Sequence, residues 1–246
     1  MPTEDTAHGA TGQQFRTTLW STIVGPAGDP ASERGQAALE ALCRAYWGPL
    51  YWYVRGRGYP QHEAEDLTQS FFARLLERND IAKASREKGR FRSFLLSSLQ
   101  NFMTSDWRAR SAQKRGGAFQ ITSLDLKEAE EHYEAQAPEG ETPEIIFDKR
   151  WALTVVERVT TRLEEEYDAN EKGELLAELK PFLTSNKASA RAEIAKRHGI
   201  TASTVDVAIY RLRKKFKALL QQEIAETVGP DQVDAELRYL IAVLGS

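Results

Sequence analysis

The segment 188–220 constrains the fold more than any other part of the chain, because its residue spacing is typical of a helix-turn-helix. Ala195 is small enough to let two helices approach, Gly199 supplies the positive φ of a tight turn, and Val205 fills the angle between the helices. Apolar residues then recur at steps of three and four. They are Val205, Ile209, Leu212, Phe216, Leu219 and Leu220. One face of the second helix is therefore predicted to be buried.

The opposite face of this second helix is rich in groups that can bind DNA. It carries Ser203, Thr204, Asp206, Val207, Tyr210, Arg211, Arg213 and Lys214. Hydroxyl and cationic side chains bind phosphates, and arginine also binds base edges in the major groove. Either Thr201 or Ser203 can cap the helix. A pair of amphipathic helices with a solvated, charged face has the same pattern, so the motif alone leaves both interpretations open.

Helical patterns also dominate the rest of the chain and strand patterns are nearly absent, which predicts an all-α fold. The 246 residues are 41% hydrophobic and 28% charged, as in soluble globular domains. No apolar run approaches the length of a membrane span, and residues 1–14 lack the pattern of a signal peptide. The expected location is therefore cytoplasmic, without membrane insertion. Cys43 is the only cysteine, which excludes an intrachain disulfide.

Breaks in composition divide the chain into two helical domains with an additional segment at each end. The predicted parts are an N-terminal extension (1–31), a first helical domain (32–117), an acidic flexible linker (118–142), a second helical domain (143–228) that contains the helix-turn-helix, and a C-terminal helical extension (229–246). Ser32 is the predicted cap of the first helix, and Trp47-Gly48-Pro49 separates that helix from a second, aromatic segment, 50–57, expected in the core. The final helix, 231–244, has an apolar face that must dock on another element.

Charge is segregated along the chain although the net charge is only −3. Eight lysines and arginines lie between Arg86 and Arg115 against two carboxylates, and nine lie between Lys187 and Lys217 against two. The segment 125–148 carries nine carboxylates and one lysine. Two basic patches separated by an acidic spacer suggest two contacts with a polyanion, although blocks of like charge can also be merely solvated.

The sequence contains none of the motifs that we would expect of an enzyme. His62-Glu63 begins like a zinc-protease helix, but Asp66 stands where the second histidine would be. A Walker-type phosphate loop and a nucleophile elbow are both absent from the sequence. We therefore expect no catalytic residues, no metal site and no cofactor.

Three sets of motifs occur in an order that resembles a known family. They are Glu65-Asp66-Leu67-Thr68-Gln69-Ser70-Phe71-Phe72, then Phe91-Arg92-Ser93-Phe94-Leu95 followed by Asn101 and Asp106-Trp107-Arg108, then Glu193-Ile194-Ala195, Thr204-Val205 and Arg211-Leu212-Arg213. Together they resemble the bacterial RNA polymerase sigma factors of the sigma-70 superfamily, and among these a divergent branch of the extracytoplasmic-function (ECF) type with extensions at both ends. The resemblance implies a helical region 2-like domain and a region 4-like domain with a helix-turn-helix.

The resemblance also implies which residues bind core RNA polymerase. The first motif contacts the coiled-coil clamp of the largest subunit in that family, and the region 4-like domain meets the flap of the second-largest subunit. The implied polymerase-binding residues are Glu65, Asp66, Gln69, Ser70 and Arg74. Asp66 and Gln69 lie one helical turn apart and so share a face. Ser70 departs from the family, which usually has glutamate there.

Promoter DNA is the second implied partner. By resemblance the −10 element is bound by Arg90, Arg92, Asn101, Arg108, Lys114 and Arg115. The −35 element is bound in duplex form by the eight outward residues of the helix-turn-helix named above. Asp206 departs from the family at a commonly basic site, where its carboxylate would repel phosphate or accept a hydrogen bond from cytosine.

These features predict a sigma factor that binds core polymerase, recognises the −35 and −10 elements, helps to melt the promoter and starts transcription. Two other classes stay open: a stand-alone helix-turn-helix regulator, and an adaptor that binds polymerase without reading DNA. An anti-sigma factor or a kinase is a candidate regulatory partner, and phosphorylation of Thr68 would add negative charge beside Asp66.

Overall fold

The computed structural model describes residues 32–77, 90–105, 129–130, 133, 140–185, 188–229 and 231–245. Its helices are α1 (Glu33–Gly56), α2 (Gln61–Glu77), α3 (Phe91–Ser105), α4 (Pro143–Asp168), α5 (Gly173–Leu179), α6 (Ala188–Arg197), α7 (Ala202–Ala225) and α8 (Val233–Leu244). A short 3-10 helix, Lys180–Leu183, follows α5. These ranges contain no strand, and the predicted all-α fold is confirmed. The predicted N-terminal extension (1–31) lies outside the described residues.

Helix α1 is the centre of the first of two hydrophobic clusters. Ser32 caps it as predicted, because its hydroxyl accepts a hydrogen bond from the Gly35 amide at 3.1 Å. The predicted break at Pro49 is wrong, since the helix runs on to Gly56. A proline inside a helix removes one backbone hydrogen bond. Burial of the residues around it, including Tyr46 and Tyr51, outweighs that loss.

The first cluster extends across the predicted domain boundary at residue 143. The N-terminal half of α4 packs on α1, and Ile146 and Trp151 lie in the same cluster as α1, α2 and α3. Trp151 stacks on Tyr46 with ring centroids 6.2 Å apart. At the end of α1, a Cβ on Gly56 would lie only 3.1 Å from Ile146 Cδ1, so the two helices approach closely there. The boundary drawn from composition therefore does not separate two cores.

The second cluster joins the C-terminal half of α4 to α5, the 3-10 helix, α6 and α7. Its buried members are Val159, Leu163, Leu176, Leu179, Phe182, Ile194, Ala195, Val205, Ile209, Leu212 and Leu219. Helix α4 thus contributes one half to each cluster. Its 26 residues give a rod of about 39 Å.

The end of α7 and helix α8 return to the first cluster. Ile224 and Val228 are buried there together with Leu237 and Leu240 of α8. The Phe91 amide, at the start of α3, donates a hydrogen bond to the Thr227 carbonyl at 3.3 Å. The C-terminal helix therefore docks as predicted, and its site is the predicted first domain.

Part of the predicted flexible linker is docked on α1. Glu130 is buried and pairs with Arg55, whose Nη2 lies 2.8 Å from Glu130 Oε1. The Trp52 indole donates to the Ala129 carbonyl at 3.2 Å, and the Tyr133 ring packs edge-on against Trp52. The expectation of flexibility does not hold at these three linker residues, because α1 offers them an aromatic and cationic surface.

The turn between α6 and α7 has the geometry that the sequence predicts. Gly199 has a φ of 62°. The Ile200 amide donates to the Ala195 carbonyl at 2.9 Å. Thr201 is the cap of α7, since its Oγ1 accepts a hydrogen bond from the Thr204 amide at 3.1 Å. Ala195 and Val205 are both buried between the helices.

We expect Gly199→Ala to lower the free energy of unfolding by about 1–2 kcal/mol, because an L side chain is strained at positive φ. Gly199→Asn is the control, because asparagine tolerates the left-handed backbone better than alanine and should lose less stability. Urea unfolding followed by circular dichroism measures both, and a loss in Gly199→Asn as large as in Gly199→Ala would contradict the assigned positive φ.

Candidate nucleic-acid interface

One face of α2 carries the residues predicted to bind polymerase. The helix buries Ala64, Leu67, Thr68, Phe71, Phe72 and Leu75. Asp66 and Gln69 are exposed on the other side, whereas Glu65, Ser70 and Arg74 are half-buried. The Gln61 amide donates to Glu65 at 3.1 Å, and the Arg74 guanidinium lies 5.4 Å from the Phe102 ring centre. Asp66 and Gln69 are thus the two of the five that a partner can reach most directly.

Thr68 does not lie on that face. It is fully buried, and its hydroxyl donates to the Ala64 carbonyl at 2.7 Å. A kinase needs an accessible hydroxyl, so the suggestion that Thr68 is phosphorylated is not supported by the folded structure.

Two arginines at the start of α3 form a charge cluster with acidic residues of α4 and α8. Arg92 is 5% exposed, and its Nε donates to Glu236 Oε1 at 2.7 Å. Its Nη1 pairs with the carboxylate of Asp148. Arg90 Nε lies 2.7 Å from the other Glu236 oxygen, Oε2. Glu236 is itself fully buried, so one carboxylate of α8 binds both arginines.

Tyr239 of α8 completes this charge cluster. Its hydroxyl donates to Asp148, and its ring centre lies 4.6 Å from the Arg92 guanidinium and 5.4 Å from that of Arg90. Burial acts to lower the pKa of Arg92, but the carboxylates of Asp148 and Glu236 outweigh it, so the pKa is raised. Burial and the hydrogen bond to Asp148 both raise the pKa of Tyr239. The cluster therefore holds a charged guanidinium away from water.

The predicted −10 residues have different environments. Arg92 is not on a surface that DNA can reach in this structure, because carboxylates and aromatic rings enclose it. Arg90 is partly covered, with 35% of its side chain exposed, and Asn101 is exposed on α3. Arg108, Lys114 and Arg115 lie outside the described residues.

The acidic residues of the charge cluster were not among the site residues predicted from the sequence. The sequence does contain one indication of them, because Glu236 lies on the apolar face of α8 that Val233, Leu237 and Leu240 form. A carboxylate at such a position is expected to have a cationic partner. Nothing in the local pattern says which cation that is.

The outward face of α7 is open to a partner. Val207 is 45% exposed and Tyr210 is 66% exposed. Ser203, Thr204, Arg211 and Lys214 are exposed beside them. Arg211 and Lys214 form no ion pair within the described part of the chain. This face therefore presents an aromatic ring, hydroxyls and cations together, as the sequence predicts.

Two of the predicted −35 residues have structural partners instead. Asp206 pairs with Arg191 of α6 at 3.3 Å, so its charge is at least partly compensated within the protein. The Arg213 guanidinium donates to the Phe182 carbonyl at 2.9 and 2.7 Å and to the Ser185 carbonyl at 3.2 Å. Arg213 thus holds the segment after the 3-10 helix against α7.

Comparison with known proteins identifies the first of these regions. Residues 42–113 match the family model for sigma-70 region 2. The chain carries a sigma-70 region 2 domain. This range includes most of α1 and all of α2 and α3, and it supports assignment of the chain to the sigma-70 superfamily of sigma factors, with a role in promoter recognition and transcription initiation. No curated protein and no solved structure matches the chain.

None of the described helices combines the length and the apolar character that a membrane span needs.

We expect Arg213→Ala to lower the free energy of unfolding by about 1.5 kcal/mol, because charged hydrogen bonds to two carbonyls are lost. Lys214→Ala, at the next position, should change it by less than about 0.5 kcal/mol, since that side chain is exposed. Thermal or urea unfolding of the two variants measures the difference. Equal stabilities of the two variants would contradict the structural role of Arg213.

Proposed function

We propose that this chain is a sigma factor of the ECF type that binds core RNA polymerase, recognises the −35 and −10 elements, and helps to melt the promoter. It performs no covalent chemistry and acts in the cytoplasm. The observation that carries the proposal is the region 2 match over α1, α2 and α3. The open cationic face of α7, on a second helical unit of the same chain, supports the part of the proposal that concerns duplex DNA.

Polymerase binding is assigned to the exposed side of α2. Asp66 and Gln69 lie one turn apart on that side, and the buried side of α2 fixes their direction by packing into the first cluster. A carboxylate and an amide on a rigid helix suit a basic and polar partner surface. The clamp coiled coil of the largest subunit is the proposed partner, and the flap of the second-largest subunit is the proposed partner of the second helical unit.

Recognition of the −35 element is assigned to the N-terminal half of α7. Thr201 ends the tight turn and its hydroxyl binds the Thr204 amide, so the amides of Ala202 and Ser203 are the ones without a partner inside the helix. Ser203 and Thr204 are exposed beside them. Helix N-termini favour phosphate, and Arg211 can bind guanine in the major groove. Tyr210 adds apolar and hydroxyl contacts on the same face.

Binding both promoter elements at once requires the compact form to open. Tyr210 lies about 23 Å along α7 from Ala225, and the turn after Ala225 contacts Phe91 of α3. Two elements about 25 base pairs apart are separated by about 85 Å of duplex. The helix-turn-helix must therefore move away from α3 in the promoter complex.

A stand-alone helix-turn-helix regulator is the second candidate. It is favoured by one observation, namely that α7 is open whereas Arg92 is enclosed in the same structure. Such a regulator would bind duplex DNA tightly by itself and would not need polymerase.

Polymerase binding separates the two candidates. We expect Asp66→Ala combined with Gln69→Ala to reduce binding to core RNA polymerase at least tenfold, because both exposed contacts of α2 are removed. Glu40→Ala is the control, since it removes an exposed carboxylate of α1 that pairs only with Arg44 among the described residues. Affinity is measured by fluorescence anisotropy with labelled full-length protein. Wild-type affinity in the double variant would contradict the assigned docking face.

DNA readout by α7 has its own test. With a promoter fragment isolated by polymerase-dependent initiation, Arg211→Ala should cost about 1–3 kcal/mol of binding and relax base preference at one position. Lys214→Ala should instead reduce the salt dependence by about one counterion, with preference unchanged. Competition binding at several salt concentrations measures both. Loss of neither affinity nor preference in Arg211→Ala would exclude this face.

A further inference from the structure

The charge cluster of Arg90, Arg92, Asp148, Glu236 and Tyr239 joins the region 2 domain to α4 and α8. Arg92 lies in α3 and Arg90 directly precedes that helix, whereas the carboxylates and the tyrosine belong to α4 and α8. The interpretation that follows rests on the proposed function, because it takes the two arginines as contacts for promoter DNA.

The carboxylates bind the guanidinium groups in the way that phosphates would. Glu236 contributes one oxygen to each arginine, at 2.7 Å in both cases, and Asp148 takes a further guanidinium nitrogen of Arg92. Arginine binds carboxylate and phosphate with the same planar donors. In the compact form Nε of Arg90 and two nitrogens of Arg92 face carboxylates, so nucleic acid has to displace those carboxylates to reach them.

The cluster is also suited to exchange. Removing two charges from water costs nearly as much as their attraction returns, so a buried ion pair contributes little net stability compared with another compensated state. If a phosphate replaces Glu236, the positive charge of the arginine stays paired with a negative charge. If Glu236 leaves and no phosphate arrives, that positive charge is unpaired. Release of α8 is therefore favourable only when the polyanion is present.

Helix α8 buries Glu236, Leu237 and Leu240, but Tyr239, Ile241 and Leu244 are among the exposed large hydrophobic residues of the described chain. The twelve-residue helix is joined to α7 by a short turn, and Glu236 and the Tyr239 ring connect it to Arg90 and Arg92. An element held in this way can be released without unfolding α1, α2 or α3.

We infer that α8 is an intramolecular latch, in which Glu236 holds Arg90 and Arg92 so that the free protein stays compact and its −10 surface stays closed until polymerase and promoter DNA replace the carboxylate. The latch explains why two arginines that are predicted to bind the −10 element are paired with carboxylates in the isolated chain. It also assigns a role to the C-terminal extension, which the two-domain interpretation leaves without one.

Glu236→Gln tests the latch in the full-length chain, because it keeps the shape of the side chain and removes its charge. Asp234→Asn is the matched control: it removes a carboxylate from the same helix, one that accepts a hydrogen bond from Gln221 and does not touch the arginines. Opening is measured by energy transfer between dyes at Ala37→Cys on α1 and Ala242→Cys on α8, both exposed positions. Burial, with Glu40 nearby, raises the pKa of the native Cys43 thiol to about 12, so that residue stays unlabelled.

DNA binding is the second readout, with a fluorescein-labelled single-stranded 30-mer of mixed sequence as the probe. Glu236→Gln should lower energy transfer and bind this probe at least tenfold more tightly than the parent, whereas Asp234→Asn should match the parent in both measurements. Adding Arg90→Ala to Glu236→Gln should remove most of the gain in affinity. Unchanged energy transfer and affinity in Glu236→Gln, or a gain that persists without Arg90, would overturn the latch.

A second variant is available if Glu236→Gln does not fold. Tyr239→Phe removes only the hydroxyl that binds Asp148 and should give the same changes at smaller size. Failure of both variants to fold would assign the cluster to the core and overturn the latch.

Failure of the latch can be distinguished from failure of the proposed function. If the parent starts transcription with core polymerase but energy transfer and DNA affinity do not change in the variants, only the latch fails. If the readouts change but no variant starts transcription, the proposed function fails.

Discussion

A single buried guanidinium, that of Arg92, sets the arrangement of three helices. A charge at 5% exposure is tolerated only when it is paired, and leaving such a group alone typically costs about 3–5 kcal/mol. Its partners come from positions 148 and 236, so α3, α4 and α8 must meet at one place. The packing of α4 on α1 and the return of the chain after α7 are both consistent with that requirement, and each adds apolar burial to it.

Local physics explains what could be predicted from the sequence. The helix-turn-helix follows from residues within thirty positions of one another: Gly199 takes the positive φ, Thr201 caps α7, and Val205 is buried between the helices. The aromatic segment 50–57 belongs to the core for an equally local reason, since its density of rings exceeds what a surface would carry. The face of α2 with Asp66 and Gln69 follows from helical periodicity alone.

Long-range pairing explains what could not be predicted. Composition places a boundary near residue 143, but burial of Trp151 against Tyr46 depends on contacts that no local pattern encodes. The sequence around the arginines at the start of α3 shows only their positive charge and so predicts DNA binding. The acidic partners of Arg92 lie about 56 and 144 positions away, where a local pattern cannot reveal them. The partners of Asp206 and Arg213 are equally hidden from local patterns, since Arg191 and the Phe182 carbonyl meet them only in the folded chain.

The central claim is that this chain directs core RNA polymerase to promoters, and reconstituted transcription tests it most directly. Purified full-length protein and core polymerase would be incubated with genomic fragments, and the 5′ ends of the transcripts would be mapped. The account predicts initiation at discrete positions that share sequence elements centred near −35 and −10, and no such initiation with polymerase alone. Absence of specific initiation, together with tight duplex binding by the protein without polymerase, would contradict it.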